Sequence, residues 1–391
     1  MTLTSAYRKP WMDSYLDLYR ETVRHFIAEE ITPHQKRFEQ QQHVDRAIWH
    51  KAGELGLLLA DIPEEYGGGG GTFAHIAVLQ EELAYAGDYG FAAGSSVHHI
   101  VANYILHLGS EAQKRKYLPR MASGGMIGAI AMTEPGAGSD LQAIRTRANR
   151  QGDEYILSGS KTFITNGLMA GLVIVVAKTD PAAGGKGISL LLLETDGTEG
   201  FNVGRVLDKL GQKASDTSEL FFDNVRVPVD NLLGAVEGQG FRQLMTELPY
   251  ERTLCSVAAV ASTETALRLA LDYTRERRAF GKPLFEMQNT RFKLAEVKTQ
   301  AVVGRHFVDA CVRRMIDGSM DADTAAMAKL WTTETLGRAA DECLQFFGGY
   351  GYMMEFPIAA LYAAARVQRI YAGSSEIMKE IVARSLERDG V

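Results

Sequence analysis

The spacing of hydrophobic residues changes twice along this chain. Up to about residue 125 it is helical. The stretch "DSYLDLYRETVRHFIAEEI" opens on Asp13, a residue suited to capping a helix, and carries Leu16, Tyr19, Val23 and Ile27 three and four residues apart. Pro33 follows. "AIWHKAGELGLLLADIP" and "HIAVLQEELAYAG" predict two more helices. From "MIGAIAM" to about Val229 the pattern becomes short β-rich runs between turn residues. "GLVIVVAKTD", "GISLLLLETD" and "SELFFDNVRVP" predict strands, and "EYILSGSKTFITNG" predicts a hairpin. Long helical patterns then return in "GFRQLMTELPYERTLCSVAAVASTETALRLALDYTRER", "QNTRFKLAEVKTQAVVGRHFVDACVRRMI" and "DTAAMAKLWTTETLGRAADECLQFF", with a last helix beginning near Ser374. Strand and helix do not alternate, which excludes a doubly wound nucleotide-binding fold. The boundaries fall at residues 1–126, 127–236 and 237–391: a helical domain, a β domain and a helical bundle.

Composition narrows the partners. With 391 residues, 46% of them hydrophobic, the chain can bury a large core in two or three domains. Charged residues make up 23%, and the net charge is −6. There is no basic block and no Lys/Arg-rich helix, which argues against nucleic acid and anionic membrane surfaces. No apolar run approaches the roughly 20 residues that span a bilayer, so no membrane insertion is expected. The start, "MTLTSAYRKPWM", lacks the apolar core of a secretory signal and is too short and mixed for a mitochondrial presequence. A bacterial cytoplasm is expected, or a mitochondrial matrix if the protein is organellar and processed. Cys255, Cys311 and Cys343 stand far apart with no CxxC pair, so free buried thiols are expected, with no disulfide framework and no metal site. The five glycines of "EEYGGGGGT" have no Lys-Ser/Thr after them and no strand before them; they predict a flexible turn, not a phosphate cradle.

Candidate chemistry starts at "AMTEPGAGSD". It follows an apolar strand-like run, and Pro135, Gly136 and Gly138 make a tight exposed turn beside the hydroxyls of Thr133 and Ser139. Such a turn suits the polar edge of a planar ring and a nearby phosphate or carbonyl. Leu141 stands where a dinucleotide fingerprint needs its third glycine, so this is no Rossmann loop. Alone, it is an ordinary β-turn. "GSKTFITNG" lies about 25 residues on and adds Phe163 and Thr165, an aromatic beside a hydroxyl. "RRAFGKPLFEMQ" carries Arg277 and Gln288 around a Gly-Lys-Pro turn, and "QFFGGYGYM" and "RIYAGSSEIMKEI" complete the set. Each has a plain alternative: a solvated Arg277, a Gln345 bonded to backbone, a Phe163 in the core.

The five motifs in this order resemble the acyl-CoA dehydrogenase family, over roughly residues 13 to 385. The resemblance implies an α+β multidomain fold: an N-terminal helical domain, a middle β-barrel-like domain and a C-terminal four-helix bundle. It implies non-covalent FAD, with Ile130, Ala131, Met132, Thr133, Ser139, Phe163, Ile164 and Thr165 at the flavin. Arg277, Gln288, Gln345, Gly348 and Gly349 would hold the adenosine diphosphate part, some of them supplied by a neighbouring subunit, and Ser374 and Glu376 match a further flavin-contacting pair. A site shared in this way implies a homo-oligomer, usually a tetramer in this family. The implied partners are an acyl-CoA and an electron-transfer flavoprotein.

The family reaction needs a carboxylate to take the α-proton of the thioester. Many members carry it as the Glu of a "YEGT" motif. Here that motif reads Tyr371-Ala372-Gly373-Ser374, and a methyl group accepts no proton. A minority carry the base on another helix, in a segment like "ELPQER". This chain has "ELPYER", Glu247 to Arg252, so Glu251 matches the relocated base, and the resemblance narrows to the long-chain branch. Pro249 lacks an N–H, and a local helix defect there would aim Glu251 inward. Pro249, Tyr250, Arg252, Ser139, Ala372 and Gly373 would meet substrate, with Arg252 on a phosphate or adenine edge and the Ala372 N–H on the thioester oxygen. Glu247, one turn earlier, is the alternative base. An oxidase of the same fold that uses O₂, and a silent flavin-binding relative, are the competing functions.

Overall fold

The computed structural model describes residues 7–389. Its first part is six helices: α1 (Ser14–Phe26), α2 (Gln35–Gln41), α3 (Arg46–Glu54), α4 (Phe73–Ala86), α5 (Gly90–Leu108) and α6 (Glu111–Ala122). Asp13 caps α1 as its sequence position predicts, its Oδ1 accepting from the Leu16 N–H at 2.8 Å. Thr72 and Ser110 cap α4 and α6 in the same way.

The five-glycine run is not the flexible turn expected. The N–H groups of Gly69, Gly70 and Gly71 donate to the carbonyls of Leu59, Ile62 and Ala60. A Cβ at Gly68 would stand 2.2 Å from the Ile62 carbonyl oxygen. Glycine is used here so that two backbone segments can pack against each other. The N–H groups a phosphate would need are already committed.

The middle part is one mixed sheet. Its strands are β1 (Gly128–Ala131), β2 (Arg147–Gln151), β3 (Glu154–Thr165), β4 (Leu172–Lys178), β5 (Ile188–Glu194), β6 (Phe201–Val206), β7 (Thr217–Pro228) and β8 (Leu232–Leu233). The order is β6-β7-β3-β2-β4-β5-β8, and β1 pairs with β4 in parallel. Alternate side chains of β4 enter two cores. Leu172, Ile174 and Val176 pack with the N-terminal helices, whereas Val173, Val175 and Ala177 pack within the sheet domain. That is why "LVIVVA" is apolar at every position. "EYILSGSKTFITNG" is not a hairpin: Glu154–Thr165 is a single strand with register shifts against β7. Gly159 (φ +148°) is a bulge within this strand, where any Cβ would lie 2.5 Å from the Thr146 hydroxyl.

The third part is α7 (Gly240–Glu276), a two-stranded ribbon of β9 (Arg278–Ala279) and β10 (Lys282–Pro283), α8 (Gln288–Ile316), α9 (Ala322–Gln345), α10 (Pro357–Val367) and α11 (Ser375–Asp389). α7 packs on α8 and α9, and α9 on α10 and α11. By length and composition α7 could cross a membrane, contrary to the sequence expectation, but most of its apolar stretch is buried inside the molecule, as befits a core helix. Every residue from Tyr250 to Val257 is buried. α7 runs unbroken through Pro249. Glu251 faces inward because α7 is enclosed on all sides at that level. The three cysteines are free and buried.

Candidate active site

The turn after β1 and the end of β3 are joined from below. The Thr162 N–H donates to the Thr133 carbonyl at 2.9 Å. Lys161, with a wholly buried side chain, donates through Nζ to the Met132 carbonyl and to Glu134 Oε1, both at 2.9 Å. Glu134 also accepts from the backbone N–H groups of Arg145 and Thr146. Burial alone would raise the Glu134 carboxyl, but Lys161 and these hydrogen bonds hold it below its ordinary range. Burial pushes the Lys161 ammonium down to about 8 against the pull of Glu134. Thr133 and Thr165 are half-buried, Ala131 and Ile164 are buried, and Ile130 and Met132 lie between. Phe163 is exposed in the left-handed region (φ +59°), and Ser139 is exposed. An aromatic ring, the hydroxyls of Thr133, Ser139 and Thr165 and open backbone at Gly136 and Gly138 are the groups this region offers, and they fit the polar edge of a flavin.

A second group collects at one end of the bundle. Arg277 caps α7 and Gln288 opens α8. Gln345 ends α9 and leads into Gly348 and Gly349. Tyr273 stacks on Phe347 at 4.1 Å and ties these ends together. All five residues are exposed, and nothing lies within 4 Å of where a Cβ would stand on Gly348 or Gly349. A guanidinium, two amides and open glycine backbone fit an anionic pyrophosphate. Ser374 has a local duty as well: its Oγ accepts from the Ile377 N–H as the cap of α11, with Glu376 in the first turn.

The third group surrounds Ala372. This residue sits in the left-handed region (φ +52°), followed by Gly373 at φ +93°. Two buried cations hold the carbonyls of this turn. Arg252 donates through Nε to the Ala372 oxygen at 3.3 Å, and Lys329 through Nζ to the Gly373 oxygen at 2.6 Å. Arg252 is only 4% exposed, so it braces the turn from beneath and does not reach outward to a phosphate or adenine edge as the sequence suggested. Tyr250 is likewise spent internally, its hydroxyl donating to Asp61 Oδ2 at 2.9 Å. Pro249 is half-buried.

Glu251 is buried beside them. Its Oε1 accepts from the Tyr104 hydroxyl at 3.0 Å, and its Oε2 has no partner among the described residues. Burial pushes its carboxyl up to about 7; the Tyr104 hydrogen bond and the Arg252 charge pull it down, and Glu247 pushes it up. Glu247 differs: both of its oxygens are held by His107 Nδ1, at 2.9 and 3.1 Å. Sequence reading missed Tyr104, Lys329 and the Lys161–Glu134 pair. Only Lys161 left a signal, a cation at the buried parity of β3 with Tyr155 and Leu157.

Lys161→Met keeps the chain length and removes the clamp on Met132. FAD affinity is expected to fall about ten-fold, the equivalent of one charge-assisted hydrogen bond of roughly 1.5 kcal/mol. A fluorescence titration of the apoprotein checks this; unchanged affinity would remove Lys161 from the support of the turn.

The helical–β–helical order, the hydroxyls at the turn after β1 and a buried carboxyl on α7 are the features of a flavin-dependent acyl-thioester dehydrogenase. The chain belongs to the acyl-CoA dehydrogenase family, whose members are FAD-dependent oxidoreductases: the family's N-terminal, middle and C-terminal domain models match residues 16–125, 129–225 and 238–387. It is 48% identical over 376 residues to the mitochondrial long-chain specific acyl-CoA dehydrogenase of Mus musculus, covering 95% of this chain and 86% of the relative. The solved acyl-CoA dehydrogenase of Geobacillus kaustophilus superposes with a TM-score of 0.93 at 43% identity, over 97% of this chain and 100% of that one. A glutaryl-CoA dehydrogenase of Mycobacterium smegmatis, solved in complex with FADH2, superposes with a TM-score of 0.89 at 30% identity, over 96% and 95%.

Proposed function

We propose that this protein dehydrogenates medium- to long-chain acyl-CoA thioesters between Cα and Cβ, with Glu251 as the base, and passes the electrons to an electron-transfer flavoprotein. One observation carries the assignment of the base. The carboxylate absent from position 372 has a replacement on α7: Glu251 has one free oxygen and adjoins Arg252, which grips the Ala372 carbonyl. A carboxyl with a proton affinity near 7 is ionised often enough at neutral pH to accept a proton, yet binds it firmly once taken. The Ala372 N–H, fixed by the braced turn, donates to the thioester oxygen and stabilises charge that develops there as the α-proton leaves. Thr133, Thr165 and Phe163 orient the flavin ring. Bound FAD supplies the acceptor for the β-hydrogen and its electron pair.

The chain-length reading is supported by the long-chain relative. A homotetramer is supported by the exposed apolar side chains near the second group, such as Phe280 and Tyr352, 95% and 86% exposed. Free buried thiols suit a reducing compartment, a bacterial cytoplasm or a mitochondrial matrix.

Anaerobic addition of saturated acyl-CoAs of graded length to the FAD-loaded protein tests this function. Bleaching of the flavin should be fastest with medium to long chains. Electrons should then pass to an electron-transfer flavoprotein much faster than to O₂. A flavin that no acyl-CoA bleaches would leave a binding protein, and equal transfer to O₂ would leave an oxidase.

A further inference from the structure

Glu251 has one hydrogen-bond donor among the described residues, and it comes from a different domain. Tyr104 lies on α5, 147 positions away in sequence, with no exposed surface of its own. Its ring is fixed inside the main hydrophobic core. A phenol in a rigid setting has little freedom in where it points its O–H. The bond runs to Oε1, and Oε2 is left without a partner. The two carboxylate oxygens are therefore not equivalent.

We propose that Tyr104 is a positioning residue for the base: its hydroxyl holds Oε1 of Glu251 in place and thereby reserves Oε2 for the α-proton. The inference rests on the reading of Glu251 as that base. During the transfer the Cα–H bond breaks and an O–H bond forms on Oε2. Tyr104 keeps its own proton throughout. Its O–H still has an acceptor afterwards, because Oε1 becomes the carbonyl oxygen of the neutral acid. A donor to one oxygen also favours the charged form of the carboxyl, so it works against the burial that raises its proton affinity.

Other charged groups act on Glu251 and on its neighbours. On its own helix, Arg252 favours the carboxylate and Glu247 opposes it. Glu247 is held in turn by His107 of α5, whose imidazole that hydrogen bond raises. Lys329 of α9 bears on Arg252. None of these donates a hydrogen bond to Glu251.

Tyr104→Phe removes the hydroxyl and keeps the ring. Stopped-flow reduction of the flavin by acyl-CoA, measured across pH, should rise with pH in the wild type as Glu251 ionises. In Tyr104→Phe the rise should move to higher pH by roughly one unit, the consequence of losing one hydrogen bond to a charged group. A curve that superimposes on the wild type overturns the inference. Near-wild-type reduction in Glu251→Gln would instead sink the base assignment, so the two failures are distinct.

Thermal unfolding gives a reading that does not depend on activity. The cost of Tyr104→Phe should grow with pH as Glu251 ionises, because the lost bond matters most to the carboxylate. In a Glu251→Gln background that pH dependence should vanish. A cost independent of pH in both backgrounds marks a merely structural tyrosine and overturns the inference. Should Tyr104→Phe prove too unstable to purify, protein grown on 3-fluorotyrosine serves. Its more acidic phenols donate more strongly, so the rise should move to lower pH, and an unmoved curve counts against the proposal.

Discussion

Glu251→Gln is expected to slow reduction of the flavin by a saturating acyl-CoA by about 10²–10⁴-fold. Gln has nearly the shape of Glu, and its carbonyl oxygen still accepts from the Tyr104 hydroxyl, 3.0 Å from Oε1 in the native protein. What it lacks is an oxygen that can take a proton. FAD and acyl-CoA should still bind, since the Thr133 turn, the bundle end and the braced Ala372 turn are unchanged. The pH profile makes the test specific. In the wild type the base must be ionised, so the rate rises through about pH 7 and then levels. In Glu251→Gln the residual rate should lose that inflection. Stability moves the other way. The unfolded chain ionises this carboxyl near 4.5, the folded one near 7, so as pH rises between those values the group destabilises the fold. The variant should abolish that loss. Near-wild-type bleaching would make Glu251 an ordinary buried carboxylate, and Glu247, now held by His107, would be the next residue to replace.

The second large effect lies away from the chemistry. Arg305→Met is expected to destabilise the protein by about 3–5 kcal/mol, the usual cost of stripping one partner from a buried ionic network. Arg305 of α8 is 5% exposed on its side chain. It donates through Nε and Nη2 to the two oxygens of Glu264, each at 3.0 Å, and through Nη2 to the Tyr85 hydroxyl at 3.1 Å. It also pairs with Glu81, which Lys9 contacts from the other side. Asp309 extends the network to Trp11 and Tyr7, at 2.9 and 2.7 Å. The N-terminal helices thus meet the bundle through charge as well as through apolar packing. Met preserves the bulk of the stem, so the loss is electrostatic. Glu81 would remain buried, and Glu264 half-buried, without their shared cation. A shift of the denaturant midpoint, with limited proteolysis near the N-terminal segment, checks this. A midpoint within experimental scatter of the wild type would mean that water reaches and solvates these carboxylates. Arg305→Lys should fall between, because one ammonium cannot reproduce the two-pronged contact with Glu264.

Local patterns were legible because their causes are local. Period and capping set the helix around Leu16, and continuous apolar runs set β4 and β5, whose two faces are both covered. Two local readings failed for a shared reason. Gly159 and the Gly67–Gly71 run looked like chain reversal and slack, yet both are places where another segment approaches too closely for a side chain. Glycine reports that a Cβ is unwelcome and leaves open whether a turn or a neighbour excludes it. The helical pattern written through Pro249 holds, and α7 is continuous across it.

The sequence by itself determined the family and the order of its three parts, and it put Glu251 forward as the candidate for the carboxylate missing at Ala372, because motif identity survives without coordinates. Only the tertiary structure decided how these residues are held. Arg252 turned out to brace the Ala372 carbonyl from beneath, Lys329 its neighbour, and Lys161 the turn beneath Thr133. Tyr104 and Glu251 are 147 positions apart, and no spacing rule links them. Their meeting depends on how α5 crosses α7. Burial, and with it the raised proton affinity of Glu251, is a property of the whole enclosure: a carboxyl is desolvated by everything packed around it, and a linear chain does not specify that surrounding until it folds.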